Sequence, residues 1–136
     1  MVATKIIHSS RVRPFVCDAA YSSKMLLDDA VAGTEAINVN EGTLKGGGRT
    51  GGGVHTENEI YYVVQGEAVL HLGDELHDIR AGDLIFIPAG VFHSLDNKSP
   101  TDDFVLLTLW QRAEFNEVWH ARLKAWGTTF KTIDEE

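Results

Sequence analysis

The 136-residue sequence contains a single cysteine, Cys17, so no disulfide can form within the chain. Cys17 also has no neighbouring partner motif for nucleophilic chemistry, and its expected role is that of a small buried thiol. Paired Cys-x-x-Cys sets, a serine-hydrolase elbow and a dinucleotide fingerprint are all missing, which removes the chemistries they serve. No apolar run approaches the roughly 20 residues that span a bilayer. The basic N-terminal stretch MVATKIIHSSRVR lacks the apolar centre of a secretory signal, so a cytoplasmic location is expected. Basic residues are in short supply: 12 Lys and Arg stand against 20 Asp and Glu, a formal net charge of -8. Nucleic acid and anionic membrane both demand a cationic footprint, so neither is expected as a partner, and a small molecule or another protein is favoured.

What is present is the composition of a soluble globular protein, 43% hydrophobic and 24% charged, at a length that suits one domain over residues 1–136. Short runs rich in β-branched and aromatic residues predict strands at Ile37–Leu44, Ile60–Val64, Ala68–Leu72, Leu84–Ile87, Phe92–Leu95 and Phe104–Trp110. Turn residues separate them, and many short strands at this spacing imply an all-β sandwich or closed barrel with its core over about residues 36–110. Beyond Trp110 the period changes. Phe115, Val118, Trp119, Leu123 and Trp126 recur at three and four residues, predicting one amphipathic helix over about 111–126 with Gly127 at its C-terminus. Trp110, Trp119 and Trp126 are expected to cover the outside of the sheet or a subunit partner.

The glycine-rich segment Gly46–Gly53 is not a phosphate-binding P-loop, because no Gly-Lys-Ser/Thr follows and it leads into a strand pattern. It reads as a flexible entrance loop, in which Arg49 is a candidate for holding an anionic substrate group. The next stretch, GVHTENEIYYVVQG, carries His55 and Glu59, both natural ligands for a first-row metal. In extended chain, residues two apart share a face, so positions 53, 55, 57 and, after a local turn, 59 can address one interior point. His93 follows Pro88-Ala89-Gly90 at the start of another predicted strand. Its arrival at the same point would complete two imidazoles and one carboxylate, leaving the opposite face of an ion open.

The run Gly82 to Asn97 resembles the second cupin motif, Gly-x5-Pro-x-Gly-x2-His-x3-Asn, at all of its fixed positions. Gly47 to Gly66 resembles the first, with Gly47, His55, Glu59 and Gly66 on pattern and Gly53 where the first histidine falls. The resemblance implies a cupin jelly-roll β-barrel, often a homodimer, binding a divalent iron, manganese, nickel, copper or zinc ion. Carried over, His55, Glu59 and His93 are the implied ligands, and Gly53 cannot ligate. Three outcomes follow: the triad binds as it stands, Glu57 turns in as a substitute ligand, or the barrel is metal-free and binds an organic ligand.

Alternation that sends Glu59 inward also sends Tyr61, Val63 and Gln65 inward, and His93 carries Leu95. Tyr61 is the candidate general acid or substrate-orienting hydroxyl, and Glu57 the other candidate catalytic group. His8, His71, His77 and His120 are expected to be structural or exposed, and Asn97 to serve the fold. The expected function is a metal-dependent enzyme on a small organic molecule, of oxygenase, decarboxylase, lyase or isomerase type. The alternative is a non-catalytic binding or sensor cupin for a sugar or small acid.

Overall fold

The computed structural model describes residues 4–111 and 116–135. Its strands, in chain order, are β1 (Phe15–Val16), β2 (Tyr21–Leu27), β3 (Asn38–Leu44), β4 (Glu59–Gln65), β5 (Glu67–Leu72), β6 (Glu75–Arg80), β7 (Leu84–Ile87), β8 (His93–Asn97) and β9 (Phe104–Trp110). Two α-helices accompany them, α1 (Asp29–Ala32) after β2 and α2 (Glu117–Trp126) after β9. The strands form two antiparallel sheets, one ordered β1-β2-β3-β9-β4-β7 and the other β6-β5-β8. This is the expected jelly roll, with a short helix at its C-terminal end.

Period-2 alternation explains the long strands. Along β9, Phe104, Leu106, Thr108 and Trp110 are buried while the residues between them are half exposed. Leu44, Tyr61, Val63, Ile87, Phe104 and Leu106 from the larger sheet meet Ala68, Leu70, Ile79 and Leu95 from the smaller one in a single core. The positions expected to form strands do so to within a residue or two at their ends. β1, β2 and β6 were not among them. In β6 only Ile79 is buried, so the residues read as a charged turn rather than as an alternating strand.

The inward run predicted for β4 ends early. Between Val63 and Gln65 the pairing with β9 shifts register, and this irregularity turns Gln65 outward, where its Nε2 donates to the Asp103 carbonyl at 3.3 Å. Trp110 is a second correction. It lies on the inner face with Thr108 and is 8% exposed, rather than covering the outside of the sheet.

α2 begins at Asn116, whose Oδ1 accepts from the backbone N–H groups of Val118 and Trp119, and ends at Gly127 with φ 73°. Phe115 and the expected first turn lie outside the described residues. The apolar stripe does not simply face inward: Leu123 is 38% exposed, and the one buried residue of α2 is Arg122. After the helix the tail pairs with the N-terminal segment, Arg13 donating to the Lys131 carbonyl and Ile133 to that of Arg11, both at 2.9 Å. No helix among the described residues is long and apolar enough to cross a membrane.

Cys17 is half buried, and burial, with Asp18 adding and Arg122 opposing, pushes its thiol up to about 11. Little thiolate forms near pH 8, so alkylation of Cys17 should run about a hundredfold slower than that of an unstructured cysteine peptide. A mass-spectrometric time course with iodoacetamide measures this, and comparable rates would contradict the burial argument.

Candidate metal centre

Three elements converge at one mouth of the barrel. β4 begins with Glu59, β8 begins with His93, and the bend that carries His55 leads directly into β4. The bend is tied to the turn before β8: Gly90 N–H donates to the His55 carbonyl and Ala89 N–H to the Asn58 side chain, each at 2.8 Å. Gly90 sits at φ 80°, a conformation that glycine adopts without strain. The Pro-x-Gly turn thereby fixes the distance between the two histidine-bearing segments. The glycine-rich loop is less free than its composition implies, since Thr50 N–H donates to the Leu95 carbonyl and Gly53 exchanges both backbone bonds with His93, at 3.2 and 3.1 Å.

His55 Nε2 lies 3.1 Å and His93 Nε2 3.2 Å from the same oxygen, Glu59 Oε1. One ligand atom from each of the three residues falls within 4.8 Å of the others. The other ring nitrogens face backbone carbonyls: His55 Nδ1 is 2.8 Å from that of Glu57 and His93 Nδ1 3.0 Å from that of Val91. A carbonyl can only accept, so each Nδ1 carries a proton and each Nε2 is left to face Glu59, offering a lone pair to a cation where the ring is neutral. Backbone partners of this kind orient histidine ligands in metal sites. Burial lowers the pKa of His93, but hydrogen bonds to Glu59 and Val91 and the Glu59 charge outweigh it, and the net shift is upward. A proton thus helps hold the imidazole against the carboxylate where a cation could do so.

Glu59 and His93 have side chains 8% exposed, whereas that of His55 is 32% exposed. The site therefore opens past His55. A small open cleft with about 20 Å³ of free space lies there, lined by His55, Glu57, Glu59, Trp110 and Asn116. Glu57 is in this lining, but its carboxylate is not part of the three-residue cluster. Tyr61 is buried with its ring 6.0 Å from that of His93. Burial first, then Glu59 and Tyr21, raise its phenol well above the usual value, which keeps it protonated and suited to donating a hydrogen bond. Arg49 is not brought to the pocket lining. Its side chain is 81% exposed, 3.7 Å from the Asp96 carboxylate.

The other residues behave as expected. His71 Nε2 pairs with Asp96 at 2.9 Å and exposed His77 with Glu75 at 3.2 Å, both outside the cluster. Asn97 donates through Nδ2 to the carbonyls of Leu44, Lys45 and Asp102, a structural role. Trp110 and Asn116 are the pocket residues that sequence reasoning missed. Trp110's place at the end of an inward-alternating strand was the available signal.

Fold and site together define a small jelly-roll barrel with two imidazoles and a carboxylate gathered at its mouth. Residues 40–110 match the cupin domain family, and the chain belongs to it. An oxalate-binding protein of Thermotoga maritima is 44% identical over 46 residues, 34% of this chain and 38% of that protein. For this relative and another curated one the match takes in less than half of their length, 38% and 43%. A crystal structure described as a predicted oxalate decarboxylase from Thermotoga maritima superposes with a TM-score of 0.71 at 27% identity, covering 79% of this chain and 99% of that one. The polyketide cyclase RemF from Streptomyces resistomycificus gives the same TM-score at 22% identity, covering 79% of each chain, and shares the fold.

Proposed function

We propose that the protein is a metal-dependent enzyme acting on a small organic acid, with the ion held by His55, Glu59 and His93. The observation that carries this reading is the convergence of both Nε2 atoms on one Glu59 oxygen, with both Nδ1 atoms engaged by backbone carbonyls. Such a donor set suits a divalent first-row ion and leaves positions open for a chelating substrate. When bound, the ion supplies Lewis acidity to a carboxylate or carbonyl, as oxygenase, decarboxylase, lyase and isomerase chemistry all require. The protein's own groups do the rest. Glu57 lines the pocket as a carboxylate able to accept a proton, Tyr61 offers a protonated hydroxyl with its ring beside that of His93, and Trp110 excludes water from the inner wall. The names from Thermotoga maritima, an oxalate-binding protein and a structure of a predicted oxalate decarboxylase, support a small carboxylic acid as substrate. The exposed apolar residues Tyr62, Val64, Leu84 and Phe86 on the outer face of β4 and edge strand β7 support a homodimer.

Elemental analysis of untagged protein purified without chelator tests the reading. About one equivalent of a divalent first-row metal is expected; no metal, and none taken up on titration, would overturn it. Gly53 offers a sharper version. As His93's direct cross-strand partner it shares a face with that histidine, and a Cβ built on it meets nothing within 4 Å. Gly53→His should therefore add a fourth ligand and tighten metal binding on the order of tenfold or more. It should also slow any reaction in which the substrate chelates through two oxygens. Unchanged affinity in a competition titration would show that position 53 does not address the ion.

A further inference from the structure

Three buried side-chain N–H groups among the described residues lack a hydrogen-bond acceptor: Asn38 Nδ2, Trp110 Nε1 and Arg122 Nε. They are not scattered. Asn38 and Trp110 are register partners between β3 and β9, with side chains on the same inner face. Asn40, two residues along that face, donates from Nδ2 to Asn38 Oδ1 at 2.6 Å and accepts from Arg122 Nη2 at 3.2 Å. Ser23 Oγ donates to the same Asn40 oxygen at 3.1 Å. The chain of bonds has one polarity. Because a guanidinium can only donate, it fixes the Asn40 oxygen toward itself, and Asn40 in turn fixes the Asn38 oxygen, so the Asn38 amino group is left facing the interior.

Arg122 is 1% exposed, and no ion pair among the described residues includes it. Burial lowers its pKa, with Cys17, Asp28 and Tyr21 opposing through space. Phe15 covers the guanidinium at 5.9 Å. A buried cation bonded only to the neutral oxygens of Asn40 and Ser23, beside donors that have no acceptor, is complementary to an anion. Trp110 belongs both to this cluster and to the lining of the pocket that holds the histidines and Glu59.

We infer that Trp110, Asn38 and Arg122 form a carboxylate subsite behind the Trp110 wall of the pocket, with α2 supplying its countercharge. The substrate is then an organic acid with one carboxylate directed at this wall and a second oxygen-bearing group directed at His55, Glu59 and His93. Only that second contact rests on the metal reading proposed above.

Acetate is the probe for the subsite, and the Trp110 indole N–H resonance of ¹⁵N-tryptophan-labelled full-length chain, stripped of metal, is the readout. The resonance should shift saturably with acetate, and equal concentrations of acetamide or sodium chloride should not reproduce the shift. An equal response to acetamide would show that a neutral acceptor suffices, saturation by chloride would make this a halide site, and no response would remove the subsite. Each of these results overturns the inference. Asn40→Asp places a carboxylate against Arg122 and lets the Asn38 amide turn to donate to it. Acetate affinity should fall at least tenfold with the melting temperature held or raised, and unchanged affinity would refute the role of the Arg122 charge. Should Asn40→Asp fail to fold, Trp110→Phe removes the unpartnered donor together with some buried ring volume, and the acetate-induced rise in melting temperature, measured against the variant's own acetate-free melt, should vanish with it; its persistence would also refute the assignment. Malonate, titrated with and without zinc, links the two ends. Binding at least tenfold tighter with zinc is expected, and no gain from zinc in protein shown to bind zinc would separate the subsite from the metal pocket. If no metal binds at all, the acetate titration still decides the subsite.

Discussion

Replacement of His93 by alanine is expected to lower metal affinity by more than about a hundredfold, since loss of partners outside the ligand shell alone costs 10- to 100-fold. His93 and Glu59 are the members of the cluster most shielded from water, each 7% exposed, whereas the side chain of His55 is 32% exposed. The remaining pair, His55 and Glu59, would hold an ion from one side only. The fold should survive. The two backbone bonds between His93 and Gly53 do not involve the imidazole, Glu59 keeps His55 at 3.1 Å, and the loss removes a polar ring from the mouth rather than from the apolar core. A change in stability of no more than about 2 kcal/mol is expected. Isothermal titration with a divalent metal and a thermal melt separate the two effects. If metal binding and turnover of an organic acid both persist in the variant, the three-ligand reading is wrong.

Where hydrophobic side chains line the barrel, the fold was legible in the sequence; where polar ones do, it was not. Phe104, Leu106, Val63 and Leu44 alternate with exposed neighbours, and their strands follow from that pattern alone. β2 buries Ser23 and Met25 while Leu26 and Leu27 stay half exposed, so its alternation runs against hydropathy. The reason is Arg122. A helix that buries a guanidinium must be met by polar side chains, and Ser23 and Asn40 occupy inner positions that would otherwise be aliphatic. Neither partner is recognisable alone. For the site, spacing in the two motifs pointed to His55, Glu59 and His93 as one cluster, and the fold does gather them, because the turn at Gly90 and the strand starts are set by local sequence. Trp110 reaches the pocket as the last inward residue of β9, whereas Asn116 reaches it as the N-cap of α2, brought there by a contact between distant segments that no local pattern encodes. Arg49 illustrates the converse error. Its place in a glycine-rich loop suggested freedom to reach the pocket, but that loop is bonded along β8 and carries Arg49 to Asp96 instead.

The largest effect on stability is expected at Asp28, a residue with no part in the chemistry. Its carboxylate is 2% exposed and joins three segments. One oxygen caps α1 by accepting from Val31 N–H at 3.0 Å, and the other accepts from Trp119 Nε1 of α2 at 3.1 Å and from Thr129 Oγ1 at 2.8 Å. Removing it deletes an N-cap and leaves two buried donors without an acceptor, each loss being about 1 kcal/mol or more, so Asp28→Ala should cost about 3 kcal/mol. For a chain of this size that lowers the melting temperature by roughly 10 °C. α2 should loosen first, because Trp119 and Thr129 are anchored through Asp28, whereas the β-sheet core lies elsewhere. Hydrogen exchange should therefore show loss of protection in α2 and the following segment at temperatures where β4 and β9 remain protected. Acetate binding should weaken in the same variant, since Arg122 rides on α2 between Trp119 and the tail. A melting temperature within about 2 °C of the parent protein would mean that α2 is held to the barrel by its apolar contacts, such as Trp126 against Phe15, rather than by the carboxylate.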